Sequence, residues 1–184
     1  MSELPLPVPR TIALVGLMGA GKSSIGRRLA QRLKVPFTDA DTEIEAAAGA
    51  TIEEIFERHG EAAFREGERR VIARLLEGPA QVLATGGGAF MDASIRALLR
   101  EHAISIWLRA DLELLLPRVT RRNNRPLLKT GDPRAVLERL IAERYPVYAE
   151  ADITVDTIEG PPDATLDRVI DALAVYLGAA AVSS

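Results

Sequence analysis

The run Gly16-Leu17-Met18-Gly19-Ala20-Gly21-Lys22-Ser23 fits G-x-x-x-x-G-K-S/T, a pattern that has meaning only between a buried strand and the start of a helix. Both flanks comply. Thr11 to Val15 is a short apolar run suited to a buried strand, and from Lys22 to Leu33 the residues Ile25, Leu29, Ala30 and Leu33 recur on one helical face. In that setting glycines let backbone N–H groups turn inward toward a polyphosphate, and the helix N-terminus adds its partial positive charge. Lys22 reaches the β- and γ-phosphates, and Ser23 offers a hydroxyl to Mg²⁺. The implied cofactors are a nucleoside triphosphate and Mg²⁺, with Gly19, Ala20, Gly21, Lys22, Ser23 and Ser24 as binding residues. At average glycine usage, eight positions so constrained match by accident in roughly 1% of chains this long.

The 184 residues, 47% apolar and 27% charged, suffice for one sizeable core. Residues 1–184 are therefore read as a single domain, with 1–10 and 178–184 as flexible termini. A net charge of −3 argues against a basic nucleic-acid-binding surface. Cysteine is absent, which removes disulfide and thiolate chemistry, and His59 and His102 alone cannot build a zinc site. Both read as helix-surface residues. Met1 to Pro9 has three prolines and no basic residue, unlike a targeting peptide, and the apolar run Ala172 to Val182 is too short to span a bilayer. The expectation is a cytoplasmic monomer without nucleic acid or membrane partners.

Strand-like runs alternate with helical ones throughout, the layout of a parallel sheet covered by helices. Val35 to Thr38 reads as a strand entering Asp39-Ala40-Asp41, followed by a helix from Thr42 to Ala48 that closes at Gly49. Thr51 and Glu54 have capping-box spacing for a further helix, and Ala62 to Leu76 continues helically. Gln81 to Ala84 is a strand running into Thr85-Gly86-Gly87-Gly88, at the end of a strand where open α/β sheets bind ligands. Ile95 to Arg100 is a short helix, Ala103 to Leu108 a strand, and Asp111 caps a helix from Leu112 to about Arg122 with a kink at Pro117. Arg121 to Gly131 lacks apolar periodicity. Asp132-Pro133 then opens a helix to about Tyr148, Asp152 to Val155 is the last strand, and Thr165 to Leu177 the last helix. The expected fold is α/β, a three-layer phosphate-loop kinase fold. It has a five-stranded parallel sheet, helices on both faces and a mobile, arginine-bearing lid at about 121–131.

Phosphoryl transfer needs charge neutralisation, an oriented nucleophile and exclusion of water. Asp39 and Asp41, at the end of the second strand, suit a hydrated Mg²⁺ and an attacking hydroxyl; Asp41 equally suits a helix cap. Arg65 and Glu68 stand at i and i+3 in Phe64-Arg65-Glu66-Gly67-Glu68, so the carboxylate can hold a guanidinium toward a substrate carboxylate. An exposed pair would contribute only about 0.2–0.5 kcal/mol to the helix. Gly86, Gly87 and Gly88 suggest close backbone approach to a ligand, or a flexible turn. Arg121-Arg122-Asn123-Asn124-Arg125-Pro126 concentrates cations where a lid would meet a transferring phosphoryl group.

Together these residues resemble the shikimate kinase family from Thr11 to Val155. The phosphate loop, D-x-D at Asp39 and Asp41, F-R-x-x-E at Phe64 to Glu68, Gly86-Gly87-Gly88, R-P-L-L at Arg125 to Leu128 and R-x-P-x-Y at Arg144 to Tyr148 stand in that family's order. The resemblance implies transfer of the ATP γ-phosphate to the 3-hydroxyl of shikimate, a carboxylated cyclohexene triol on the route to chorismate and aromatic amino acids. It makes Asp41 the partner of the reacting hydroxyl, Arg65 and Arg144 the clamp on the carboxylate, and Gly87 a backbone donor. Glu68 orients Arg65, Asp39 holds the magnesium water shell, Ser23 ligates Mg²⁺, and Lys22 and Arg125 touch the phosphates. An adenine-contacting arginine common after the family's last strand is replaced here by Glu159-Gly160-Pro161-Pro162. That leaves Pro161, backbone, Arg118, Arg121 or Arg122 for adenine. A gluconate kinase and a silent nucleotide-binding protein are the alternatives, and the absence of N-K-x-D argues against a GTPase.

Overall fold

The computed structural model describes residues 4, 7–121 and 131–183, with side chains as far as residue 179. Among these residues five strands form one parallel sheet: β1 (Thr11–Val15), β2 (Phe37–Asp39), β3 (Val82–Ala84), β4 (Ala103–Arg109) and β5 (Ile153–Asp156), in the order β2-β3-β1-β4-β5. β1 is central and buried at every residue, because helices cover both faces and leave the strand no wet side. Its register sets Ile12 between Val82 and Ile104, and Leu14 between Ala84 and Ile106.

Seven helices complete the described part: α1 (Lys22–Leu33), α2 (Ala40–Ala48), α3 (Ile52–Leu76), α4 (Ala93–His102), α5 (Leu112–Thr120), α6 (Pro133–Tyr148) and α7 (Pro162–Ser183). α1 buries Ile25, Leu29, Ala30 and Leu33, the stripe legible in the sequence. Thr51 caps α3 by accepting from the Glu54 N–H at 3.1 Å. The Glu54 carboxylate lies 4.0 Å from Arg58, and the Ile52 N–H is taken by Glu45 Oε2 at 2.9 Å. α3 is broken at Gly60, whose φ of 82° and ψ of 174° only glycine adopts readily, so its two halves point differently. The second half carries Phe64 into a small cluster with Ile44, Ile55 and Val71, and brings Arg65 and Glu68 to the Gly86–Gly88 turn.

Several boundaries move. α2 begins at Ala40, not Thr42, because Asp39 is its cap: Oδ1 accepts from the N–H groups of Asp41 and Thr42 at 3.0 and 3.3 Å. Asp92 likewise caps α4 and starts it earlier than Ile95. α5 ends at Thr120, whose hydroxyl turns back onto the Leu116 and Pro117 carbonyls. α7 spans Pro162 to Ser183, beyond both ends read from the sequence. His59 and His102 are exposed, as expected. No helix among the described residues is long and apolar enough to cross a membrane.

Candidate active site

The loop between β1 and α1 opens at the carboxyl end of the central strand, beside the end of β3, into a cavity of about 590 Å³. Its chemistry begins with what α1 lacks. α2 to α6 each carry a side-chain cap from Asp39, Thr51, Asp92, Asp111 or Asp132, whereas α1 starts at Gly21, in the left-handed conformation (φ 101°), without one. No acidic residue enters its first turn. The N-terminal N–H groups and the positive end of the helix dipole are thereby left to an anion from outside. Lys22 folds back over the loop, donating from Nζ to the carbonyls of Gly16 at 2.6 Å and Leu17 at 3.0 Å. An ammonium can exchange such contacts for phosphate oxygens.

Asp39 serves two partners with two oxygens. Oδ1 caps α2, and Oδ2 accepts from Ser23 Oγ at 3.1 Å across the cavity mouth. The cap read as an alternative for Asp41 thus belongs to Asp39, two residues earlier, since the helix starts sooner. Asp41 sits in the first turn of α2 and lines the cavity together with Gly86 and Gly87. The Ser23–Asp39 oxygen pair fits a hard cation such as Mg²⁺, which takes one or two protein oxygens and fills its octahedron with water and phosphate. The described residues hold no cluster of three or more His, Cys, Asp or Glu, and such a shared site needs none.

The triple glycine is explained by side chains of the chain itself. A Cβ on Gly86 would stand 2.8 Å from Asp41 Oδ1, one on Gly87 3.2 Å from Arg144 Nη1, and one on Gly88 2.3 Å from Arg65 Nη2. Three successive missing side chains therefore make room for a carboxylate and two guanidiniums drawn from α2, α6 and α3. The sequence suggested close approach of a ligand to this backbone; what approaches first is protein. Arg65 is bonded through Nη1 to Glu68 Oε1 at 2.9 Å, and Glu61 lies 3.7 Å from its Nε. This is no surface pair, for the Glu68 side chain is 1% exposed and that of Arg65 23%. Burial pushes the Glu68 carboxyl above its ordinary pKa, with the Arg65 guanidinium opposing. Its Oε2 is buried without a hydrogen-bond partner among the described residues.

Arg118 donates to the Gly19 carbonyl at 3.0 Å, fixing a guanidinium on the phosphate loop, and lines the cavity together with Thr157 and Pro162. Arg121 also lines it. In the Glu159-Pro162 segment, Gly160 and Pro162 line the cavity. Arg122, Arg125 and all of the lid segment except Arg121 and Gly131 lie outside the described residues. Sequence reasoning gave no role to Tyr148, whose hydroxyl donates to the Gly87 carbonyl. Its signal was the four-residue spacing from Arg144, which puts both on one face of α6.

A parallel sheet in this order, with an uncapped glycine-loop helix opened by a lysine that folds back to the loop after the central strand, defines a phosphate-loop phosphotransferase. A family model described as shikimate kinase matches residues 18–174. Shikimate kinase from Paramagnetospirillum magneticum is 60% identical over 170 residues, which cover 92% of this chain and 87% of the relative. The solved structure of shikimate kinase from Acinetobacter baumannii in complex with shikimate superposes with a TM-score of 0.85 at 42% identity, over 90% of this chain and 93% of that one. A gluconokinase from Sinorhizobium meliloti shares the fold alone, at 19% identity and a TM-score of 0.66 over 96% and 98% of the two chains. The chain belongs to the shikimate kinase family.

Proposed function

We propose that this chain transfers the γ-phosphoryl group of ATP to the 3-hydroxyl of shikimate, giving shikimate 3-phosphate and ADP on the route to chorismate and the aromatic amino acids. One observation carries the reading. The guanidiniums of Arg65 and Arg144 and the carboxylate of Asp41 converge on three consecutive glycines, across from a phosphate loop. Two cations for one carboxylate, beside an acceptor for a hydroxyl, is the complement of a small carboxylated polyol. The gluconokinase likeness extends to the fold only, so it does not compete at the site.

Lys22 and the N-terminal N–H groups of α1 would hold the β- and γ-phosphates, with Arg118 and Pro162 on the cavity wall available to adenine. Ser23 would ligate Mg²⁺, and Asp39 would hold its water shell. When bound, that ion neutralises charge on the phosphates. Arg65 and Arg144 fix the shikimate carboxylate, the Gly87 N–H supports the ring, and Glu68 keeps Arg65 in place. Asp41 then orients the 3-hydroxyl and takes its proton as the new oxygen–phosphorus bond forms and the bond to ADP breaks. In a loose transition state the nucleophile needs little prior deprotonation, so geometry at Asp41 matters at least as much as basicity. Arg125 belongs with the phosphates by the family resemblance. The whole chain acts as one domain, a cytoplasmic monomer working on small molecules.

The test is ADP release with Mg²⁺-ATP and, separately, shikimate, gluconate, a nucleoside monophosphate or no acceptor. Release that requires shikimate supports the proposal; equal release with gluconate, or release independent of any acceptor, refutes it.

A further inference from the structure

Behind the glycine turn lies a polar group that the roles above leave unused. Tyr148 ends α6, is fully buried, and packs its ring among Trp107, Tyr145 and Phe90 with centroid separations of 5.8, 6.1 and 6.4 Å. A buried phenol needs a hydrogen-bond partner, and here the partner is the Gly87 carbonyl. The neighbouring carbonyls are satisfied locally: Gly86 O accepts from the Ala89 N–H at 3.2 Å, and Gly88 O from the Met91 N–H at 3.1 Å. Gly87 O is instead held from α6, 61 residues further along the chain. Three glycines in succession have no side chains to pack and much backbone freedom to lose, so an anchor from outside decides whether the turn keeps one conformation.

Arg144 stands one helical turn earlier on α6. Charge and hydrogen bonding from Arg144 act on the Tyr148 phenol against the effect of its burial. A guanidinium has only donors, and a phenol oxygen that gives its proton to Gly87 retains lone pairs to accept from it. Arg144 in turn lies against Gly87, close enough that a Cβ there would stand 3.2 Å from Nη1.

We propose that Tyr148 is the positioning residue of the acid-binding subsite. Its hydroxyl fastens the Gly87 carbonyl, and the Arg144 guanidinium lies against that same glycine, so that the backbone side and the arginine side of the clamp are set as a unit. The inference rests on reading these groups as the shikimate clamp.

Tyr148→Phe keeps the ring in its aromatic cluster and removes only the hydroxyl. The control is Tyr145→Phe, which deletes a hydroxyl of the same cluster that donates to the Ala110 carbonyl, away from the turn. For Tyr148→Phe the KM for shikimate rises about tenfold, as expected for one buried hydrogen bond. The kcat and the KM for ATP stay within about twofold, and Tyr145→Phe leaves all three near the unsubstituted values. In an Arg144→Ala background the effect of Tyr148→Phe largely disappears, because the two residues act at one glycine, Gly87. An unchanged shikimate KM, equal shifts in both phenylalanine variants, or full additivity with Arg144→Ala would each overturn the role of Tyr148. Absence of shikimate-dependent ADP release from the unsubstituted enzyme would sink the functional reading and this inference with it.

Discussion

Gly88→Ala separates the steric argument for the glycine turn from any argument about flexibility. Gly88 has φ −93° and ψ −6°, a conformation open to alanine, so the substitution carries no backbone strain. The new methyl would stand 2.3 and 2.7 Å from the two terminal nitrogens of Arg65, where ordinary contact begins at 3.4 Å. The guanidinium must therefore retreat by about 1 Å, and a displacement of that size at a positioning group can cost on the order of 10²-fold. The tip of a long side chain absorbs it, so the thermal midpoint should barely move. The aim of the clamp is lost instead. Isothermal titration should show shikimate affinity falling by roughly 10- to 100-fold while ATP affinity holds. Unchanged shikimate binding by a folded variant would refute the claim that these glycines exist to admit the clamp. An equal loss for ATP would place the damage in the phosphate loop.

Gly60→Ala should do the reverse: at φ 82° and ψ 174° it costs about 1–3 kcal/mol of stability with nothing within 4 Å to disturb, and a melting curve beside unchanged KM values checks it. Lys22→Ala removes charge at the β- and γ-phosphates and should lower kcat by about 10²–10³ with the fold intact; near-normal steady-state turnover would remove Lys22 from the mechanism. Asp41→Asn should slow single-turnover phosphoryl transfer by roughly 10²–10⁴ with both ligands bound nearly as before, or by less if Asp41 only orients the hydroxyl, whereas an unaffected rate excludes both roles. The Asp92 carboxyl is opposed by burial, yet bonds from Arg69 and from the N–H groups of Ser94 and Ile95 hold it below its usual 3.8. Its stabilising contribution is therefore complete above that value and is lost as pH falls through the depressed one. Asp92→Ala should cost about 1 kcal/mol near neutrality, a difference from the unsubstituted protein that shrinks in unfolding curves taken below pH 4.

The phosphate loop could be read from sequence because its chemistry is local. Glycine spacing, Lys22 and Ser23 stand within eight residues, and the apolar stripe of α1 lies immediately beyond them. Sheet class was legible for a similar reason, since a strand such as Thr11 to Val15 with no polar alternation must be covered on both faces. Arg65 and Asp41 were candidates from their local setting, but Arg144, and with it the clamp as a whole, was visible only as a resemblance. Arg65, Asp41 and Arg144 are far apart in the chain, and no spacing rule says that three elements will bring them to successive glycines. Caps were misplaced where two acids compete: Asp39 and Asp41 both suit the start of α2, and the choice fell to the end of β2, where Asp39 also meets Ser23. Whether Arg65 and Glu68 form a surface pair or a buried one depended on how α3 bends at Gly60 and packs on the sheet. The link from Tyr148 to Gly87 likewise exists because α6 docks behind the turn. Periodicity and spacing act over one or two helical turns and so fixed the elements and the phosphate loop. Burial and convergence of charge depend on how those elements pack, and only the tertiary structure decides that.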